Sequence, residues 1–217
     1  VWRTLQNQAT LLDHEVGLGK TLSGIVSAME AKRLGLIRKA MVVVPNHLVG
    51  QWEGAIAQAY PNASAMIASS KAMSKTNRPK FLSLMATNEW DLIVIPYSSF
   101  KSIPVNEDTL KRYFQDEIDK LEDFLYELKS AARSLATPGV IKDIERAKKT
   151  FEAKLERLAD HKKDNAKTII WEELGIDMLI VDEFHSFKNL FFPTKMSRIA
   201  GLGNSDSQRA FDMFIKS

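Results

Sequence analysis

Residues Gly17-Leu18-Gly19-Lys20-Thr21 lie between the apolar pair Leu11-Leu12 and a helix-forming stretch, and few folds can use such a segment. Two glycines one residue apart let the backbone turn tightly and point its N–H groups into one concavity. A helix starting near Lys20 would add its positive end to the same spot. The loop is therefore built for phosphate, and it asks for a strand before it and a helix after it. Lys20 supplies a mobile charge for the β- and γ-phosphates, and the Thr21 hydroxyl is placed to ligate magnesium. The pattern is a relaxed form of G-x-x-x-x-G-K-[ST], because His14 stands where the first glycine would be.

Far downstream, the apolar run Met178 to Val181 ends in Asp182-Glu183. Four apolar residues in a row suit a buried parallel strand, and sites in open α/β sheets lie just past the carboxyl ends of strands. There Asp182 would hold magnesium and Glu183 would orient and deprotonate an attacking water. Two acids after a strand could also merely cap the next helix. The phosphate loop upstream favours the first explanation.

Asp182-Glu183-Phe184-His185 resembles the D-E-x-H box of superfamily 2 helicases, and Glu15-Val16-Gly17-Leu18-Gly19-Lys20-Thr21 is similar to the E-M-G-L-G-K-T loop of chromatin-remodeller-type translocases. Val42 to Trp52 resembles motif Ia of that family, with its V-x-P-x-x-L-x-x-Q-W pattern, and Ile95 to Phe100 occupies the place of motif Ib. Four motifs stand in the family's order. His14-Glu15-Val16-Gly17 and Lys188-Asn189-Leu190 resemble the helicase part of phage and mobile-element proteins that join a helicase to an adenine-specific DNA methyltransferase, although no methyltransferase motif is present. The resemblance implies an adenosine nucleotide (ATP with Mg2+) and a role for His185 in coupling the nucleotide site to a second RecA-like lobe. It also implies a nucleic-acid track across the loops Pro45-Asn46-His47 and Tyr97-Ser98-Ser99. Those loops offer N–H groups and small polar side chains, which suit phosphate contacts without base preference. Binding to DNA, double-stranded and sequence-tolerant, should then weaken with salt. Helix capping by Asn46 and Ser98 can coexist with that role.

The net charge of +3 excludes a uniformly basic nucleic-acid-binding surface but permits a local groove. With 45% apolar residues in 217, the chain can bury a proper core. There is no cysteine, hence no disulfide or thiolate chemistry, which fits a cytoplasmic location. No apolar run approaches the roughly 20 residues needed to span a bilayer, so no membrane partner is expected. The isolated histidines give no metal site beyond magnesium. The chain neither opens with methionine nor reaches a motif III or a second lobe with an arginine finger. The expectation is one lobe of a larger protein.

Leu11-Leu12, Met41 to Val44, Leu92 to Ile95 and Met178 to Val181 are short apolar runs separated by helical stretches, which predicts a parallel sheet covered by helices on both faces. The predicted helices are Thr21 to Leu34 with Gly35 as its stop, His47 to Tyr60, and Arg78 to Thr87. The fold class is α/β, a RecA-like P-loop lobe.

From Pro104 to Lys167 the apolar period changes. Leu110, Phe114, Ile118, Leu121, Leu125, Leu128, Ala132 and Leu135 follow steps of three and four, and Val140, Ile144, Ala147, Phe151, Leu155 and Leu158 repeat them after Thr137-Pro138-Gly139. This predicts an antiparallel helical hairpin, each arm reaching roughly 40 Å at about 1.5 Å per residue. The lobe would then be discontinuous: residues 1–103, an inserted hairpin at 104–167, and residues 168–217. Mixed, balanced charge favours a solvated spacer, with a partner-docking or DNA-touching arm as the alternative. A basic bias exists only at Lys148-Lys149 and Lys162-Lys163.

Trp52 and Trp90 read as core fillers. The aromatic run Phe184, Phe187, Phe191 and Phe192 suggests a docking place for a neighbouring element. The function expected is that of an ATP-binding lobe of a DNA-dependent ATPase. The alternatives are a non-catalytic module working through the hairpin, a restriction or modification subunit, and a small-molecule kinase. The kinase would need neither the D-E-x-H strand nor motif Ia.

Overall fold

Runs such as Val42-Val43-Val44 and Leu92-Ile93-Val94-Ile95 are β-branched on both alternating faces, so they are stable only as strands covered above and below. A computed structural model of the chain, describing residues 1–15, 17–69, 72–130, 138–160, 168–188, 190 and 207–217, places them so. The described chain falls into two units: Val1–Pro104 with Ile169–Ser186 and Ser217, and Val105–Thr168 with Phe187–Lys216.

The first unit contains α1 (Trp2–Gln6), α2 (Lys20–Arg33), β1 (Ala40–Val44), α3 (Val49–Ala59), β2 (Ala65–Ile67), α4 (Arg78–Thr87), β3 (Leu92–Pro96), α5 (Tyr97–Lys101) and β4 (Met178–Val181). The strands form one parallel sheet in the order β2-β3-β1-β4, with Ala40 opposite both Leu92 and Met178. On one face Ala40, Val42, Val44, Leu92 and Val94 pack against Ile25 and Ala28 of α2 and Trp52 and Ile56 of α3. On the other face Met41, Val43, Ile93 and Ile95 are equally buried, and α5 lies against β1 and β3. The expected α/β architecture is thus present. α2 stops where Gly35, at φ +72°, donates its N–H to the Lys32 carbonyl while Leu36 donates to Ala31, each at 2.9 Å.

Three strand expectations need correction. Leu11-Leu12 is not a strand, and Leu11 is exposed, because no described strand pairs with it. β2 was not anticipated; three residues are too few for a periodic signal. β4 is half-buried rather than buried, since among the described residues it has a neighbouring strand on one side only.

The start of β4 is fixed by a clasp that sequence inspection missed. Asp177 accepts from the N–H groups of Arg38 (2.7 Å) and Lys39 (3.2 Å) and donates its own N–H to the Lys39 carbonyl (3.0 Å). The Lys39 side chain is buried and donates to the carbonyls of Met85 (2.6 Å), Leu174 (3.0 Å) and Ala86 (3.5 Å). Burial pushes its amine below the ordinary lysine value, opposed by the charge of Asp177.

The second unit contains α6 (Glu107–Ser130), α7 (Pro138–Asp160) and α8 (Gln208–Lys216). Phe114, Ile118, Leu121, Ile144, Ala147 and Phe151 form its buried seam, flanked by Leu110, Leu125, Leu128, Leu155 and Leu158. Ala132, Leu135 and Thr137, and the side chain of Val140, lie outside what is described. Lys148 is engaged by Glu122 (2.6 Å) and Glu152 (3.5 Å); Lys162 and Lys163 lie outside the described residues.

Residues 168–217 were expected to return wholly to the lobe, but α8 packs on α6 and α7 instead. Phe211 stacks on Phe114 at 5.5 Å with an interplanar angle of 10°, and the Lys154 ammonium lies 5.5 Å from the ring centres of both Phe151 and Phe211. The reason is amphipathicity: Ala210, Phe211 and Met213 are buried in a nine-residue helix too short to be stable without a partner. Among the described residues, no helix is long and apolar enough to cross a membrane.

Candidate nucleotide site and nucleic-acid loops

Parallel strands all deliver their carboxyl ends to one edge of the sheet, and the motif residues collect there. β1 runs into Pro45-Asn46, β3 into Tyr97-Ser98, and β4 into Asp182-Glu183. This edge is where an α/β sheet places its ligands.

In the loop before α2, Gly17 and Gly19 take φ values of +88° and +73°, a region that side-chain-bearing residues rarely adopt. A Cβ at either would meet nothing within 4 Å, so conformation and not space demands glycine. Gly19 caps α2, and the Ser23 N–H bonds its carbonyl at 2.9 Å. Leu18 is exposed, Thr21 is half-buried, and Val16 lies outside the described residues. The Lys20 ammonium folds back on its own loop, donating to the carbonyls of His14 (2.6 Å) and Glu15 (3.2 Å). An anion in the loop would offer it a stronger partner. His14 contributes a main-chain oxygen to this contact.

One turn along α2, a Cβ at Gly24 would lie 3.1 Å from the Trp52 ring and 3.5 Å from Ile180. The missing side chain lets α2 approach both α3 and β4 closely. Ile180 precedes Asp182 by two residues, so this contact joins the helix that carries Lys20 and Thr21 to the strand that carries the acids.

Asp182 is held on every side. Its N–H bonds the Val43 carbonyl at 3.0 Å, extending the ladder one step past β4. Its Oδ2 accepts from Trp52 Nε1 at 2.9 Å and its Oδ1 from the Glu183 N–H at 2.9 Å. Trp52 is therefore a core residue, as expected, and also the donor that aims a carboxylate, which was not expected. The Tyr97 hydroxyl donates to the Asp182 carbonyl and lies 3.3 Å from the Glu183 carbonyl oxygen. Glu183 has φ +52°, unusual for a residue other than glycine. Its Oε2 is 3.1 Å from His185 Nδ1, which puts His185 in contact with the acid.

Among the loop residues, Asn46 and Ser98 are exposed and Pro45 half-buried, with Ser98 Oγ 3.3 Å from Asn46 Oδ1. Ser99, also expected in the nucleic-acid track, is 4% exposed on the first turn of α5, so its hydroxyl lies inward. Phe184 is exposed and Phe187 buried; Phe191 and Phe192 lie outside the described residues.

These groups suit a magnesium nucleotide. Each Asp182 oxygen has one N–H donor and so keeps acceptor capacity, and Thr21 brings a hydroxyl at the start of α2. Among the described residues no cluster of three or more metal-ligating side chains exists.

No curated protein and no solved structure matches this chain. A family model described as a probable helicase domain matches residues 2–216. That match covers nearly the entire sequence, and the chain belongs to the probable helicase domain family.

Proposed function

We propose that the chain is the ATP-binding lobe of a DNA-dependent ATPase of the superfamily 2 type, coupling hydrolysis to movement on double-stranded DNA in concert with a second RecA-like lobe. The observation that carries this reading is Asp182, fixed by Trp52 at the end of β4, on a strand that touches the phosphate-loop helix at Gly24.

In this reading the N–H groups of Gly17, Leu18 and Gly19 and the amino end of α2 bind phosphate. Lys20 exchanges its two loop carbonyls for phosphate oxygens. Thr21 and Asp182 would hold magnesium, which neutralises phosphate charge when bound. Glu183 accepts a proton from water at a carboxylate oxygen, and His185 steadies that carboxylate. Asn46 and Ser98 meet the DNA backbone without reading bases.

Two variants of the full-length protein test this. Lys20→Ala should abolish nucleotide binding, because Lys20 acts in the ground state; Glu183→Gln should retain binding and lose turnover, because Glu183 acts on water in the transition state. Wild-type turnover in Glu183→Gln would refute the assignment of the base.

A further inference from the structure

We propose that Tyr97 is a positioning residue that holds Glu183 in its hydrolytic geometry and ties that geometry to the surface formed by Asn46 and Ser98. The proposal rests on the ATPase reading above and assigns to it a residue for coupling. Its starting point is the backbone of Glu183. A glutamate at φ +52° persists only where its surroundings over-determine it. Three groups do so here: the Tyr97 hydroxyl at the carbonyls of Asp182 and Glu183, the Ser186 N–H at the Glu183 carbonyl (3.0 Å), and Asp182 Oδ1 at the Glu183 N–H (2.9 Å). Of these only Tyr97 comes from another part of the chain.

Tyr97 is also the first residue of α5, and the next residue, Ser98, reaches Asn46 after β1. A strand of DNA contacting Asn46 and Ser98 therefore acts on the same turn that carries the Tyr97 ring. Any shift of that turn moves the hydroxyl relative to two carbonyls it grips. The coupling needs no long path: Asn46, Ser98, Tyr97 and Glu183 are consecutive contacts in one unit. If Tyr97 served only to fill space at the sheet edge, phenylalanine would serve equally, since the half-buried ring would remain.

The test is Tyr97→Phe in the full-length protein, with steady-state ATP turnover measured with and without linear duplex DNA. Lys20→Ala is run beside it. Loss of one neutral hydrogen bond acting on the transition state predicts about a tenfold fall in DNA-stimulated kcat. KM for ATP and the binding of a fluorescent ADP should stay at wild-type values. Wild-type kcat in Tyr97→Phe, with Lys20→Ala inactive, overturns the role of Tyr97 while leaving the ATPase intact. Loss of fluorescent ADP binding together with turnover marks a purely structural role and overturns it as well. A wild-type protein that hydrolyses no ATP, and so matches Lys20→Ala, overturns the functional reading and this assignment with it.

Discussion

Replacing Lys39 by methionine removes an ammonium while keeping a flexible chain of similar bulk, and the structure allows its cost to be worked out. Lys39 is 7% exposed, and the carbonyls of Met85 and Leu174 that it serves are buried. Each carbonyl left without a donor costs about 1–3 kcal/mol, and the contact to Ala86 at 3.5 Å adds little. Two such carbonyls give about 2–6 kcal/mol. Methionine avoids the desolvation cost of the ammonium, which brings the net destabilisation to about 2–4 kcal/mol. The pH dependence has a definite sign. Burial holds the folded-state pKa of Lys39 below its unfolded value, so folding penalises the charged form. That penalty is complete below the folded pKa and fades as pH rises toward the unfolded value near about 10.4. Wild type should therefore gain on Lys39→Met through the alkaline range, by at most about 1.4 kcal/mol per pH unit. Urea melts of both proteins at pH 7.5 and 9.5 measure the gap. A variant as stable as wild type, or a gap that narrows as pH rises, would refute the reasoning. Because the clasp fixes the start of β4, turnover should fall as well.

The remaining expectations are brief. Changing Asn46 and Ser98 together to alanine should raise the DNA concentration for half-maximal ATPase stimulation by about tenfold, the worth of one or two net hydrogen bonds; an unchanged value would place the track elsewhere. Phe211→Ala should destabilise the second unit by about 3–5 kcal/mol, seen as an earlier thermal transition by circular dichroism. Replacing residues 104–167 by a short linker should leave Ala210, Phe211 and Met213 uncovered and the product prone to aggregation, whereas removing 187–216 as well should restore cooperative melting; equal behaviour of the two would mean that α8 does not depend on the hairpin.

Much of this protein is legible in its sequence because the physics involved is local. Gly17 and Gly19 announce a left-handed turn, the run Val42-Val43-Val44 a doubly covered strand, Gly35 a helix stop, and the Phe114-Ile118-Leu121 spacing a helical seam; each needs only its neighbours along the chain. What depends on distant partners was hidden. Leu11-Leu12 has the composition of a strand but no strand beside it, and Ser99 looks like Ser98 until α5 turns it inward. Amphipathic α8 could have covered the sheet as well as the hairpin, and only the aromatic cluster around Phe114 decides between them. The two acids at the end of β4 show the division best. Sequence names Asp182 and Glu183, but it cannot show that Trp52 and Tyr97, 130 and 85 positions from Asp182, supply the hydrogen bonds that aim them. Hydrogen bonds act over about 3 Å in space, so residues far apart in sequence become partners only when the sheet brings β1, β3 and β4 to one edge.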